Sequence, residues 1–203
     1  MTNLPLLLLI FSTIGLVWTA CQPTAHNPHI IINTELGPIE VEIYADKAPI
    51  TANNFLRYVR ENRLQGTRFY RTVTLEPDNQ PDKTTKIEVI QGGFALNMVD
   101  TISNPLLLPP IAHETTQQTG LSHTDGTISM ARDKPGTAQA EFFICIGDQP
   151  ELDFGGKRNP DGVGFAAFGK VVGGMDIVRK IHRLPNTEQM IDPPLSILSI
   201  KIK

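Results

Sequence analysis

From residue 30 to the end of the chain, apolar residues recur in short strand-like runs, the first and last with a clear two-residue period, punctuated by Gly, Pro and Asp clusters. Ile30-Ile31-Ile32, a turn at Leu36-Gly37-Pro38, and Ile39, Val41 and Ile43 alternating with Glu40, Glu42 and Tyr44 predict a hairpin with one buried face. Pro49 opens a helix in which Ala52, Phe55, Leu56 and Val59 fall at helical spacing. Strand-like runs follow at 68–75, 87–91, 126–130, 141–146 and 165–172. A second helix fits Met175 to His182, with Ile177, Val178 and Ile181 apolar. The chain closes on Leu198, Ile200 and Ile202 alternating with Ser199, Lys201 and Lys203, a half-buried strand. Many strands and two helices, one near each end, suggest a mainly β barrel with helical plugs. A polar interruption near 76–86 reads as an inserted, solvent-exposed surface loop.

The opening segment follows a different pattern. No charged side chain precedes Glu35, and Leu4 to Phe11 and Ile14 to Ala20 form an apolar stretch ending in small residues. That fits a secretory hydrophobic region. Pro5, Ser12, Thr13 and Gly15 interrupt it, which argues against a permanent membrane-spanning helix. Thr19-Ala20-Cys21 resembles the end of a bacterial lipobox, where the cysteine is lipidated and becomes the new N-terminus; Trp18 stands where leucine is usual. The expected organisation is a signal peptide at 1–20, a tether at 21–29 and one domain at 30–203. The protein is then exported and held to a membrane through Cys21, facing the periplasm or the cell surface. An uncleaved N-terminal anchor is the alternative.

Composition narrows the function. Hydrophobic residues at 40% and charged residues at 19% describe an ordinary globular chain, and a net charge of −3 offers no basic face for nucleic acid. Cys21 and Cys145 are the only cysteines. Cys145 sits in the apolar run 142–146, where a buried thiol behaves as a small hydrophobe. Three motifs fail on inspection. His113-Glu114-Thr115-Thr116 lacks the second histidine of a zinc helix, with Gln117 in its place. Gly164 to Lys170 mimics a phosphate loop, but Val171 replaces the hydroxyl that would hold magnesium. Ser122-His123-Thr124-Asp125 has the letters of a catalytic triad as near neighbours, without a nucleophile elbow. His26, His29, His123 and His182 read as tether, turn and helix-surface residues. No cofactor or metal is expected, and nothing points to oligomerisation, so the chain reads as a monomer.

Six blocks, in order and spacing, resemble the cyclophilin-type peptidyl-prolyl cis–trans isomerases from about residue 30 onward. They are Ala45 to Phe55, Phe69-Tyr70-Arg71, Gln91-Gly92-Gly93-Phe94, Ser129-Met130-Ala131-Arg132, Phe142-Phe143-Ile144 and Phe168 to Met175. The resemblance implies a closed eight-stranded antiparallel barrel capped by two helices. It implies Arg71 as the catalytic residue, an apolar proline pocket of Val89, Phe143, Leu152 and Phe165, and a peptide held by Gln91, Ala131 and Arg132. The substrates would be Xaa–Pro bonds in exported proteins, the activity assisting their folding. Pattern alone gives Val89 and Phe143 a barrel-core reading as readily as a site reading. Four positions depart from the better-known members: Glu88 stands where a pocket aromatic is expected, Glu141 replaces a glutamine, Glu151 replaces an aromatic, and Phe165 occupies a His or Tyr site. Glu141 is expected in the substrate groove, paired with Arg71 or Arg132. The carboxylates leave open a second reading, a catalytically weak peptide-binding module or chaperone.

Overall fold

The computed structural model describes residues 27–95 and 104–203. The segment expected to be a signal peptide, Cys21 and the first part of the expected tether lie outside them. Strands β1 (His29–Thr34) and β2 (Gly37–Ile43) form the expected hairpin, whose turn is closed by the Thr34 hydroxyl donating to Gly37 O at 2.7 Å. Helix α1 (Pro49–Arg60) follows, with proline at its first position, where a missing N–H costs nothing. Then come β3 (Arg68–Val73), β4 (Val89–Gly93), the single-turn helix α2 (Thr116–Thr119), β5 (Thr127–Met130) and β6 (Phe142–Cys145). The chain finishes with β7 (Ala166–Gly173), α3 (Met175–His182), the two-residue β8 (Asn186–Thr187) and β9 (Met190–Ile202).

Every pairing is antiparallel, in the order β1-β2-β7-β5-β6-β4-β3-β9, and β9 pairs back onto β1. Eight strands therefore close a barrel, as expected, while β8 only extends β9 into a small outer hairpin. Alternation decides what fills it. Ile30, Ile32, Ile39, Val41 and Ile43 all point inward and are fully buried. Phe55 from α1 packs edge-on to Phe142 at 5.4 Å and against Phe168 at 5.1 Å, and Phe69 meets Phe142 at 5.8 Å. Such aromatic pairs contribute beyond the area they bury. Val178 and Ile181 of α3 join the same core.

Three details differ from expectation. A third helix is present, α2, stabilised by a reciprocal box between Thr115 and Gln118 and ended by Gly120 in the left-handed region; at one turn it is too short to show helical periodicity. Strand β9 begins at Met190, not near 198. Pro193 and Pro194 concealed this, because proline cannot donate to a ladder; they fall where the register with β3 jumps from Arg71–Met190 to Phe69–Leu195. Glu114, of the failed zinc motif, is buried and caps α1: Ile50 N and Thr51 N donate to its two carboxylate oxygens at 3.1 and 2.7 Å, and the Thr51 hydroxyl adds 2.6 Å. A carboxylate there satisfies orphan N–H groups and meets the positive helix end.

Cys145 is fully buried, and burial pushes its thiol far above the usual range, so it acts as a hydrophobe. Phe55→Ala, which empties the centre of the aromatic cluster, is expected to lower unfolding free energy by about 3–5 kcal/mol, read as a drop in urea midpoint without a change of slope.

Candidate active site

A row of paired residues runs across four neighbouring strands on the outer face of the barrel. Arg71 of β3 faces Gln91 of β4, Gln91 faces Phe143 of β6, and Phe143 faces Ser129 of β5. Alternation would send only one of Tyr70 and Arg71 to this face. A register shift between Phe69 and Arg71 leaves Tyr70 as an extra residue, so both side chains line the groove while Phe69 stays inside. Re-aiming side chains in this way is what a β-bulge does.

The groove has a volume of about 390 Å³. Arg71, Val89, Gln91, Ala131, Arg132, Phe143, Leu152 and Phe165 all line it. Val89, Phe143 and Leu152, with Val73, Ile87 and Cys145, form an apolar cluster separate from the barrel core, and Ala131 and Phe165 pack on it. Val89 and Phe143 therefore belong to the groove and not to the interior. Phe165 stands edge-on to Phe143 at 5.3 Å.

Arg71 is anchored by amides. Its Nη1 donates to Gln91 Oε1 at 2.8 Å, and its Nε and Nη2 donate to Gln189 Oε1 at 3.0 and 2.6 Å. Of its five N–H groups, three are thus committed, and two remain. Behind it runs a relay: Gln91 Nε2 donates to the Tyr70 hydroxyl at 2.5 Å, and Tyr70 donates to Glu141 Oε2 at 2.6 Å. Burial, with the neighbouring Glu141 carboxylate, pushes the Tyr70 phenol far above its usual range, so it remains a donor. Burial also pulls the Arg71 guanidinium down, without neutralising a group that stays charged in proteins.

Glu141 does not line the groove and forms no ion pair with Arg71 or Arg132. It is buried behind Tyr70 and also accepts from Phe94 N at 2.6 Å. Its influence on Arg71 passes through two intervening side chains. The Gln91-Gly92-Gly93 sequence follows from the same packing. A Cβ on Gly92 would press on the Phe69 and Phe142 rings at 3.0 Å, and one on Gly93, at φ +142°, would collide with the Glu141 carboxylate. Glu88 and Glu151 are also outside the groove. Glu88 sits 4.0 Å from His182, with Ile87 and Val89 on either side of it lining the groove instead, and Glu151 accepts from Lys157 N at 2.7 Å. Arg132 is tied down by Asp161 (2.8 and 3.0 Å) and Gly164 O (3.0 and 2.6 Å), and its guanidinium lies 5.1 Å from the centre of the Phe165 ring. Arg132's hydrogen bonds hold the Asp161 carboxyl below its usual range.

Several expectations need correction. The loop at 76–86 is exposed over most of its length, as expected, but it also has a structural role. Gln80 is buried and spans it, donating to Thr74 O and Ile87 O at 3.1 and 2.8 Å and accepting from Arg158 Nη1 at 2.8 Å. Asn79 O accepts from Gln189 Nε2 at 2.8 Å, so the loop holds the amide that holds Arg71. His182 is buried rather than on a helix surface, and its Nε2 donates to Val73 O at 2.9 Å. His123 is buried too. Its ring joins Asp153 at 2.7 Å and the Ser129 hydroxyl at 2.9 Å, and stacks on Phe143 with centroids 5.8 Å apart. This Ser–His–Asp chain is not a hydrolytic triad, because Ser129 is fully buried behind the groove floor. It braces Phe143.

Tyr70, Gln189, Ile87, Lys83, Arg158, Asn159 and Met190 contribute to the groove or its anchoring without having been anticipated. Tyr70 was hidden by the bulge. Gln189 lies 118 positions from Arg71 in a two-residue β8–β9 turn whose centre, Glu188 and Gln189, has φ of 50° and 73°. A type I′ turn usually takes Asn and Gly there, so no turn signal marked it.

Residues 29–202 match the family described as cyclophilin type peptidyl-prolyl cis-trans isomerase/CLD. The chain belongs to that family and is an enzyme of the isomerase class. A peptidyl-prolyl cis-trans isomerase of Acinetobacter baylyi is 34% identical over 183 residues, covering 87% of this chain and 86% of the relative. Peptidyl-prolyl cis-trans isomerase B of Escherichia coli is 35% identical over 153 residues, covering 75% and 82%. A crystal structure of a cyclophilin-type isomerase of Cryptosporidium parvum superposes with a TM-score of 0.66 at 20% identity, covering 87% of this chain and 98% of that one, which speaks to the fold alone.

The relay makes a prediction about stability. Tyr70→Phe strips a donor from a buried carboxylate and an acceptor from Gln91, and is expected to cost about 1–3 kcal/mol in denaturant unfolding. A shift of less than a few tenths of a kcal/mol would mean that Glu141 is held without it.

Proposed function

We propose that the groove rotates Xaa–Pro bonds with Arg71 as the catalytic residue, and that the clients are polypeptides outside the cytoplasm, reached by a chain held to a membrane through lipid on Cys21. Rotation breaks amide resonance against a barrier of ~18–20 kcal/mol. It also pyramidalises the prolyl nitrogen, which gains a lone pair that the planar ground state lacks. A cationic donor at that nitrogen favours the twisted state selectively, and only such selective contacts raise kcat. The observation that carries this reading is the state of Arg71: charged, half-buried, held at three N–H groups by neutral amides, and set at the edge of an apolar groove.

One charged hydrogen bond contributes ~1.5–3 kcal/mol, or ten- to a hundred-fold in rate. Enzymes commonly gain about 8 kcal/mol or more, so the rest falls to binding. Phe143, Phe165, Val89 and Leu152 offer the proline ring an apolar slot, and Gln91 and the Ala131-Arg132 backbone hold the flanking peptide. Their packing supports the assignment: Phe143 stacks on His123, and Phe165 packs against Arg132. The binding-module reading rested on Glu88, Glu141 and Glu151, and with all three outside the groove nothing specific favours it.

Arg71→Ala is expected to lower kcat/KM on a short Xaa–Pro peptide by about ten- to a hundred-fold, chiefly through kcat, with the far-ultraviolet circular dichroism unchanged. Wild-type and variant rates equal to the spontaneous rate would remove the enzyme reading. For the anchor, the mass of protein purified from membranes should correspond to a chain starting at Cys21 plus acyl groups. A mass that retains Met1 to Ala20 would overturn it.

A further inference from the structure

Four cations border the groove, Arg71, Lys83, Arg132 and Arg158, and among the described residues no carboxylate lines it. Among the described residues, only one of the four has a carboxylate partner: Arg132, with Asp161. Arg71 rests on amide oxygens. Arg158 sits in the 154–164 loop and spends only Nη1, donating to Gln80 Oε1 at 2.8 Å and Thr85 O at 2.7 Å, both uncharged. Lys83 stands exposed on the inserted loop, where the other loop lysine, Lys86, is the one that pairs with Asp78. Burial, with a smaller contribution from the Arg71 charge, pulls the Arg158 guanidinium below its usual range. A low-dielectric cleft with one sign of uncompensated charge concentrates the opposite sign. An incoming carboxylate would offset these charges and use the N–H groups that Arg158 leaves free.

We propose that the groove selects Xaa–Pro segments carrying an Asp or Glu side chain close to the proline, with Arg158 and Lys83 as the specificity-determining residues. This rests on the isomerase reading above and adds a substrate class to it. The two loops that carry Arg158 and Lys83 are joined to each other by Gln80, so they present their charges as one rim.

The test uses the full-length protein and peptides capped at both ends, each with one Ala-Pro bond and a single Glu, Gln or Lys walked through the flanking positions. At one position, kcat/KM for Glu should exceed that for Lys about tenfold or more, with Gln between, and the ratio should shrink with added salt. Lys83→Glu, at an exposed position that does not threaten folding, should reduce the ratio. Arg158→Gln should bring it towards one, and Arg158→Lys should retain most of it. Ratios within about twofold of one everywhere, or ratios untouched by Lys83→Glu and Arg158→Gln, overturn the proposal and leave the isomerase standing. A preference that emerges only with uncapped C-termini also overturns it, by assigning the charge to a chain terminus. Conversely, Glu-selective binding by fluorescence titration without turnover of any peptide would support the selection and sink the isomerase reading.

Discussion

The structure turns on a cation kept without a counter-ion. Arg71 is half-buried, and the usual way to hold a buried guanidinium is a carboxylate. Here two glutamine oxygens do it instead, one from the neighbouring strand and one from a turn 118 positions away. The choice matters chemically. A carboxylate in contact would satisfy the charge before any substrate arrived, and would weaken the field at the prolyl nitrogen. Amide oxygens fix the direction of the fork and leave its charge unspent. The one carboxylate in the relay, Glu141, is kept two side chains away, behind Tyr70 and Gln91.

Anchoring Arg71 draws on distant parts of the chain. Gln189 sits in a turn whose left-handed backbone is uncommon for a side chain of its size. It is steadied from the far side by the Asn79 carbonyl of the inserted loop. That loop is in turn closed on itself by Gln80 and tied to the 154–164 segment through Arg158. A polar stretch whose sequence suggests exposure thus becomes part of the scaffold, because one buried glutamine supplies the backbone partners that a strand would otherwise provide.

The first hairpin and the closing strand were legible because period-two alternation is a local signal, whereas the closed eight-stranded barrel followed from the family resemblance, which also named the groove residues, all but Glu141 of which line it. What stayed hidden has definite causes. Tyr70 and Arg71 share one face only because of the bulge beside them, which alternation does not announce. Pro193 and Pro194 masked the start of β9. Glu88, Glu141 and Glu151 raised concern by identity alone, since their directions depend on register and on packing against Tyr70 and His182. The pairing of His123 with Ser129 and Asp153 depends on where the strands and loops converge, which near-neighbour motifs do not reveal.

Strands β4 and β6 carry two sequences interleaved. Ile90, Phe142 and Ile144 belong to the barrel core, whereas Val89, Phe143 and Cys145 belong to the outer cluster. The two sets share a backbone but fall in separate apolar clusters. Selection can therefore rewrite alternate letters of one strand to suit a new client while the other letters go on specifying the same barrel. In such an arrangement, innovation at the surface exposes the protein to little risk of misfolding.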